Sequence, residues 1–146
     1  MQVSKPVIVA AAFIFVFFVL PVAYAACVYQ IRIPGMTAVK VFGGELYWDS
    51  AAQNEVALID WGNVFRGEAK NVTVYLKNTG DLAVTGFVLN TENFVPNHPE
   101  WFTLSWSLSV SRLEPAQVIQ VVLTLMVSQS AEGSVFSFDI VITLQA

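Results

Sequence analysis

Asn71-Val72-Thr73-Val74-Tyr75-Leu76-Lys77 alternates without a break, with Val72, Val74 and Leu76 on one side and Thr73, Tyr75 and Lys77 on the other. A period of two marks a strand with one face buried and one face wet. Asn78-Thr79-Gly80-Asp81 follows as a tight turn of residues that tolerate positive φ, and Ala83 to Leu89 reads as the next strand. The two strands either pair as a hairpin or cross between sheets. Their register is well specified, because a slip of one residue would expose Val72, Val74 and Leu76.

The same period extends in both directions. Downstream, Phe102, Leu104, Trp106 and Leu108 share one parity against Thr103, Ser105 and Ser107. Ile119, Val121, Leu123, Leu125 and Val127 form another apolar face, and Phe136, Phe138, Ile140, Ile142 and Leu144 form the last. Asn90 to Pro99 and Arg112-Leu113-Glu114-Pro115 read as loops between them. Upstream, Val56 to Trp61 is a short strand stopped by Gly62-Asn63, and Arg66-Gly67-Glu68 is a turn. Gly43-Gly44, between Val39 to Phe42 and Glu45 to Trp48, reads as a hairpin turn or a bulge. About seven to eight strands with turn signals between them, and no amphipathic helix, predict an all-β fold: a single Ig-like antiparallel β-sandwich.

The chain has 146 residues, of which 55% are hydrophobic and 12% charged, a balance that excludes a disordered chain or a coiled coil. Seven basic against eleven acidic residues leave a net charge of -4, so nucleic acid is excluded as a partner. The apolar excess is uneven. A polar start with Lys5 precedes Val7 to Leu20, in which every residue is apolar, and then come Pro21 and Ala23-Tyr24-Ala25. That is the layout of a secretory leader, predicted as an apolar helix over residues 1–25 with cleavage before Ala26. If it is not cut, residues 1–26 are a membrane anchor, approaching a bilayer in length. Either way the rest of the chain is expected outside the cell or on its surface.

Cys27 is the only cysteine, so it makes no internal bridge. It follows Ala25-Ala26 as a lipidated cysteine would, although Tyr24 stands where an aliphatic residue is usual. From it, Cys27, Tyr29, Ile31 and Ile33 alternate with Val28, Gln30 and Arg32 up to Pro34-Gly35, which reads as the end of this strand and a hinge. Residues 26–36 are therefore an N-terminal strand and linker, and 37–146 the sandwich. Such a strand either begins its own sandwich or leaves it to complete a neighbour's sheet, the donor-strand route to a filament.

The segment Ile59-Asp60-Trp61-Gly62-Asn63-Val64, with Arg66-Gly67 and then Asn71 through Asp81, resembles the Ig-like modules of archaeal and other prokaryotic surface proteins, in the CARDB and ASH-like group. Leu113-Glu114-Pro115 also resembles a turn of that group, with Ala116 where those modules carry glycine. The resemblance covers Asp60 to about Leu144 and implies a stalk, spacer, adhesin or filament subunit.

Catalytic vocabulary is sparse. One histidine, His98, in Asn97-His98-Pro99, and one cysteine do not make a zinc site, and Asp49, Glu55 and Asp60 lack calcium-loop spacing. No cofactor and no enzymatic activity are expected. Asn71-Val72-Thr73 is the one N-glycosylation sequon. Trp48, Trp61, Trp101 and Trp106 either pack in the core or line a glycan-binding platform. The expected partners are copies of the chain itself, other surface proteins, or a glycan.

Overall fold

Eight strands take up the alternation: β1 (Arg32–Phe42), β2 (Gly44–Tyr47), β3 (Leu58–Phe65), β4 (Ala69–Asn78), β5 (Gly86–Val95), β6 (Phe102–Leu108), β7 (Val118–Val127) and β8 (Phe136–Gln145). The computed structural model describes residues 32–133 and 135–146. The strands form two four-stranded sheets, ordered β3-β1-β8-β5 and β2-β4-β7-β6. The fold is all-β, and among the described residues the one helical element is a 3₁₀ turn, Pro99–Trp101.

The core lies between the sheets. Ile59, Trp61, Val64, Phe136, Phe138, Ile140 and Ile142 come from the first, and Leu46, Val74, Leu76, Val121, Leu123 and Leu125 from the second, all buried. The inward parity read from β7 and β8 holds along both strands. Phe94, Phe102, Phe136 and Phe138 form an aromatic cluster at one end, with ring centroids 4.6 to 6.1 Å apart, within the range of favourable ring packing.

The sandwich is not wholly antiparallel. β1 and β8 run parallel from Gly35 opposite Phe136 to Phe42 opposite Thr143. A parallel pair needs a long connection, and here everything between the first and last strands supplies it. Pro34-Gly35 neither ends the strand nor hinges it, because β1 runs through both. Pro34 pairs with Asn63 of β3, while the ladder with β8 begins only at Gly35, so the missing proline N–H falls where one side of β1 is still an edge. Gly62-Asn63 does not stop β3 either. The strand continues to Phe65, and between Gly35 and Met36 the register skips Trp61, a bulge after which the inward parity of Ile59 and Trp61 shifts to Val64. There the Trp61 Nε1–H donates to Thr37 Oγ1 at 3.0 Å, satisfying a buried polar pair.

Two further turns change sheets instead of closing hairpins. Gly43, at φ +81, carries the chain from β1 in one sheet to β2 in the other. A Cβ there would lie 2.9 Å from the Leu144 carbonyl oxygen, so the corner has room only for glycine. Of the two courses open after β4, the chain takes the crossing: β4 and β5 lie in different sheets. Asn90 to Val95 is strand and not loop, since β5 pairs with β8 as far as Val95 through a register shift after Glu92.

The Asn78 to Asp81 turn uses no positive φ. Asn78 acts instead through its side chain, buried at 1% exposure: Nδ2 donates to the carbonyls of Leu82 at 2.8 Å and Leu113 at 3.0 Å, and Oδ1 accepts the Gly80 N–H at 2.9 Å. The Asn78 carbonyl also accepts the Ala116 N–H at 2.9 Å. Ala116 itself stands at φ 62, where a Cβ costs about 1 kcal/mol. Ala116→Gly is therefore expected to stabilise the sandwich by about 1 kcal/mol, measured as an upward shift of the urea midpoint at unchanged slope.

Candidate functional site

Cys27, Tyr29 and Ile31, with the leader and the lipidation position at Cys27, lie outside the described residues. Ile33 falls inside β1, where its backbone pairs with Val64 of β3. Only the end of the expected N-terminal strand, Arg32 and Ile33, falls among the described residues, and its backbone belongs to the first sheet.

Asn71 lies on β4 opposite Thr124 of β7, exposed on the outer face of the second sheet, and Thr73 of the sequon is exposed beside it. β2 pairs only with Tyr75 to Asn78, so among the described residues no strand flanks Asn71 on that side. Among the described residues nothing hydrogen-bonds the Asn71 amide, which leaves the acceptor nitrogen open to solvent. Thr73, Thr103, Ser105, Ser107 and Thr124 share this face and give it a neutral, hydroxyl-rich surface.

The four tryptophans do not form a platform. Trp61 is 1% exposed in the core, Trp106 is half-buried on the inner face of β6, and Trp48 is 43% exposed beyond β2. Trp101 stacks on His98 with ring centroids 4.0 Å apart. His98 Nδ1 lies 2.7 Å from Glu100 Oε1, and that contact holds the Glu100 carboxyl below its usual value. The pair is exposed, with no nucleophile beside it among its described contacts.

Asp49, Glu55 and Asp60 do not converge on a shared ligand. Asp49 accepts the Asn54 N–H at 2.8 Å and the Gln53 N–H at 3.2 Å, which lower its pKa and brace its own loop. Asp60 accepts the Gly62 N–H at 2.8 Å beside the bulge. Among the described residues no three His, Cys, Asp or Glu side chains are placed to hold a metal ion, and no helix is long and apolar enough to cross a membrane.

One polar cluster was not legible in the sequence. On the outer face of the first sheet, Lys40 Nζ lies 2.8 Å from Asp139 Oδ2 and 3.3 Å from Glu92 Oε1, and Asn93 Nδ2 donates to the same Asp139 oxygen at 2.8 Å. Asp139 is held below its usual carboxyl value by Lys40 first and Asn93 second, and Lys40 is raised by its hydrogen bonds to Asp139 first and Glu92 second. Charges from β1, β5 and β8 thereby pin three strands together across the face. Near the other sheet, Tyr47 donates to Glu45, which together with burial pushes the phenol up to about 12.

A recess of about 230 Å³ opens beside the Asn78 to Asp81 turn, lined by Gly43, Leu82, Val84 and Leu144 as well as that turn. Asp81 is its one charged side chain, so it offers shape but no acid-base pair of side chains. No family model matches the chain, and no curated protein matches it.

Proposed function

We propose that this chain is a non-catalytic, exported cell-surface protein, an Ig-like sandwich that serves as a structural element and associates with its own copies. The observation that supports this reading best is the place of β1. The strand nearest the leader fills the slot between β3 and β8 and is bonded on both sides. No tight turn joins it to either of those neighbours, and its one described link onward is the Gly43 corner into β2, so opening that corner lets the slot be filled by the next copy instead of the same chain. In the filament form, the N-terminal segment through Ile33 enters the sandwich of the next subunit together with β1. The outward position of Asn71 fits a glycosylated surface protein.

The test is a cysteine pair across β1 and β3. Ala38 faces Leu58, and the neighbouring bond from Val39 N–H to the Ala57 carbonyl, 2.9 Å, makes Ala38 and Leu58 a close, non-hydrogen-bonded pair. Ala38→Cys with Leu58→Cys, in a Cys27→Ser background, is oxidised in the full chain and run without reductant. Strand exchange gives a ladder of covalent multimers; a cross-linked monomer overturns the filament form. The mass of the natively produced chain tests export, with a start at Ala26 expected and an intact Met1 start making the protein a membrane-anchored stalk instead.

A further inference from the structure

Four strands end the two sheets, and three of them carry a device that blocks pairing. β3 has the bulge at Trp61 and the charge of Asp60. β5 has its own register shift and Glu92. β2 is four residues long and carries Glu45. Bulges, charges and short length are the means by which edge strands avoid one another.

β6 has none of these. Its seven residues, Phe102-Thr103-Leu104-Ser105-Trp106-Ser107-Leu108, contain no charge, no proline and no glycine, and they pair with β7 without a register shift. Among the described residues no strand lies beyond it. Leu104, Trp106 and Leu108 are only half-buried on the inner side, so the free edge also leaves apolar surface in water.

The strand is also a mirror of itself about Ser105. Read outward from that residue, Leu104 matches Trp106, Thr103 matches Ser107, and Phe102 matches Leu108. If two copies run antiparallel with Ser105 opposite Ser105, each inward apolar residue meets an apolar one and each outward hydroxyl meets a hydroxyl. No like charges meet anywhere along the seam. Such self-complementarity is what an isologous twofold interface requires, whereas a different partner would not need it.

We propose that β6 pairs with β6 of a second copy, antiparallel and centred on Ser105, to join two second sheets into one continuous eight-stranded sheet. The seam leaves Asn71 free, since β4 lies two strands in from the edge, about 10 Å away. It deepens the self-association proposed above but uses a different surface from β1, so the two can fail separately.

The full chain is tested by sedimentation over a range of concentrations. Dimers are expected for the native sequence, and Ser105→Lys, which sets two ammonium groups opposite each other on the axis, should weaken association by about tenfold or more. Gln120→Lys places the same charge on the same outer face but on β7, outside the stretch that pairs with β6, and should leave the dimer intact. Ser105→Cys in the Cys27→Ser background should oxidise to a covalent dimer, because residues opposite each other on antiparallel strands bring their Cβ atoms within about 5.5 Å. A native chain that stays monomeric leaves the edge to some other occupant and overturns the proposal. So does a dimer that survives Ser105→Lys unchanged, or an efficient dimer that Ser105→Cys does not link. Because the Ala38 and Leu58 pair reports on β1 alone, a β6 dimer of cross-linked monomers would retain this seam while removing strand exchange.

Discussion

Gly35→Ala is expected to destabilise the sandwich by about 3 kcal/mol, the upper end of what overpacking costs. A Cβ at position 35 would lie 1.9 Å from Phe136 Cζ and 2.2 and 2.3 Å from the two Cε atoms, so the ring sits directly on the glycine. The ring has no free direction in which to retreat. Phe136 is 1% exposed and packed against Phe102 and Phe138, at centroid distances of 4.6 and 6.1 Å. The backbone is equally held, because Gly35 is paired to β3 on one side and to β8 on the other. A double-mutant cycle isolates the cause. Phe136→Ala alone should cost about 3 to 5 kcal/mol through the cavity it leaves, but in that background Gly35→Ala should cost almost nothing further. Urea denaturation of the four proteins measures this, and equal costs of Gly35→Ala in the two backgrounds would show that the ring is not what demands glycine.

Gly35 also shows what the sequence could and could not convey. The faces of β4, β6, β7 and β8 were legible because side-chain period is a local property, and the inward residues of β7 and β8 are the ones the alternation picks out. Sheet membership is not local. Gly43-Gly44 looks like a hairpin turn, and Asn78 to Asp81 can serve hairpin or crossing alike, yet both change sheets, a choice made by packing between sheets and not by turn chemistry. Pro34-Gly35 looks like a break, and would be one if β8 began two residues earlier; the partner that makes it tolerable lies a hundred residues downstream. The Lys40 cluster was hidden for the same reason, its members being 52 and 99 residues apart in the chain. Of the candidate functional positions, the Asn71 sequon could be read directly. The β6 edge was half legible: its uncharged alternation stands in the sequence, but only the strand order shows that nothing covers it.

Asn78→Asp should be the most damaging single exchange at neutral pH among those of unchanged shape, at about 4 kcal/mol. The native amide donates two hydrogen bonds, to the Leu82 and Leu113 carbonyls, and accepts one from Gly80, so that a side chain 1% exposed ties the end of β4 to the loop ahead of β7. A carboxylate of the same size keeps the Gly80 contact but turns an oxygen toward two carbonyl oxygens, with no cation among its described partners. Burial and these acceptors disfavour the charged form, so the introduced group has a folded-state pKa above its unfolded one. The sign follows from linkage: the unfolded chain loses this proton more easily, so the penalty grows as pH rises from the unfolded value, about 4, to the raised folded value, and is constant beyond it. Below about pH 4 both states are protonated, and the neutral acid restores one donor to one carbonyl. The difference in unfolding free energy between the native chain and Asn78→Asp should therefore shrink on acidification, which urea titrations from pH 7 down to pH 4 would measure. Asn78→Ala, which removes the side chain without adding charge, should lose stability by an amount that does not change across the same range. A pH-independent loss in Asn78→Asp would mean that the amide is not enclosed by those two carbonyls, and that the crossing from β4 to β5 is held by the backbone bonds alone.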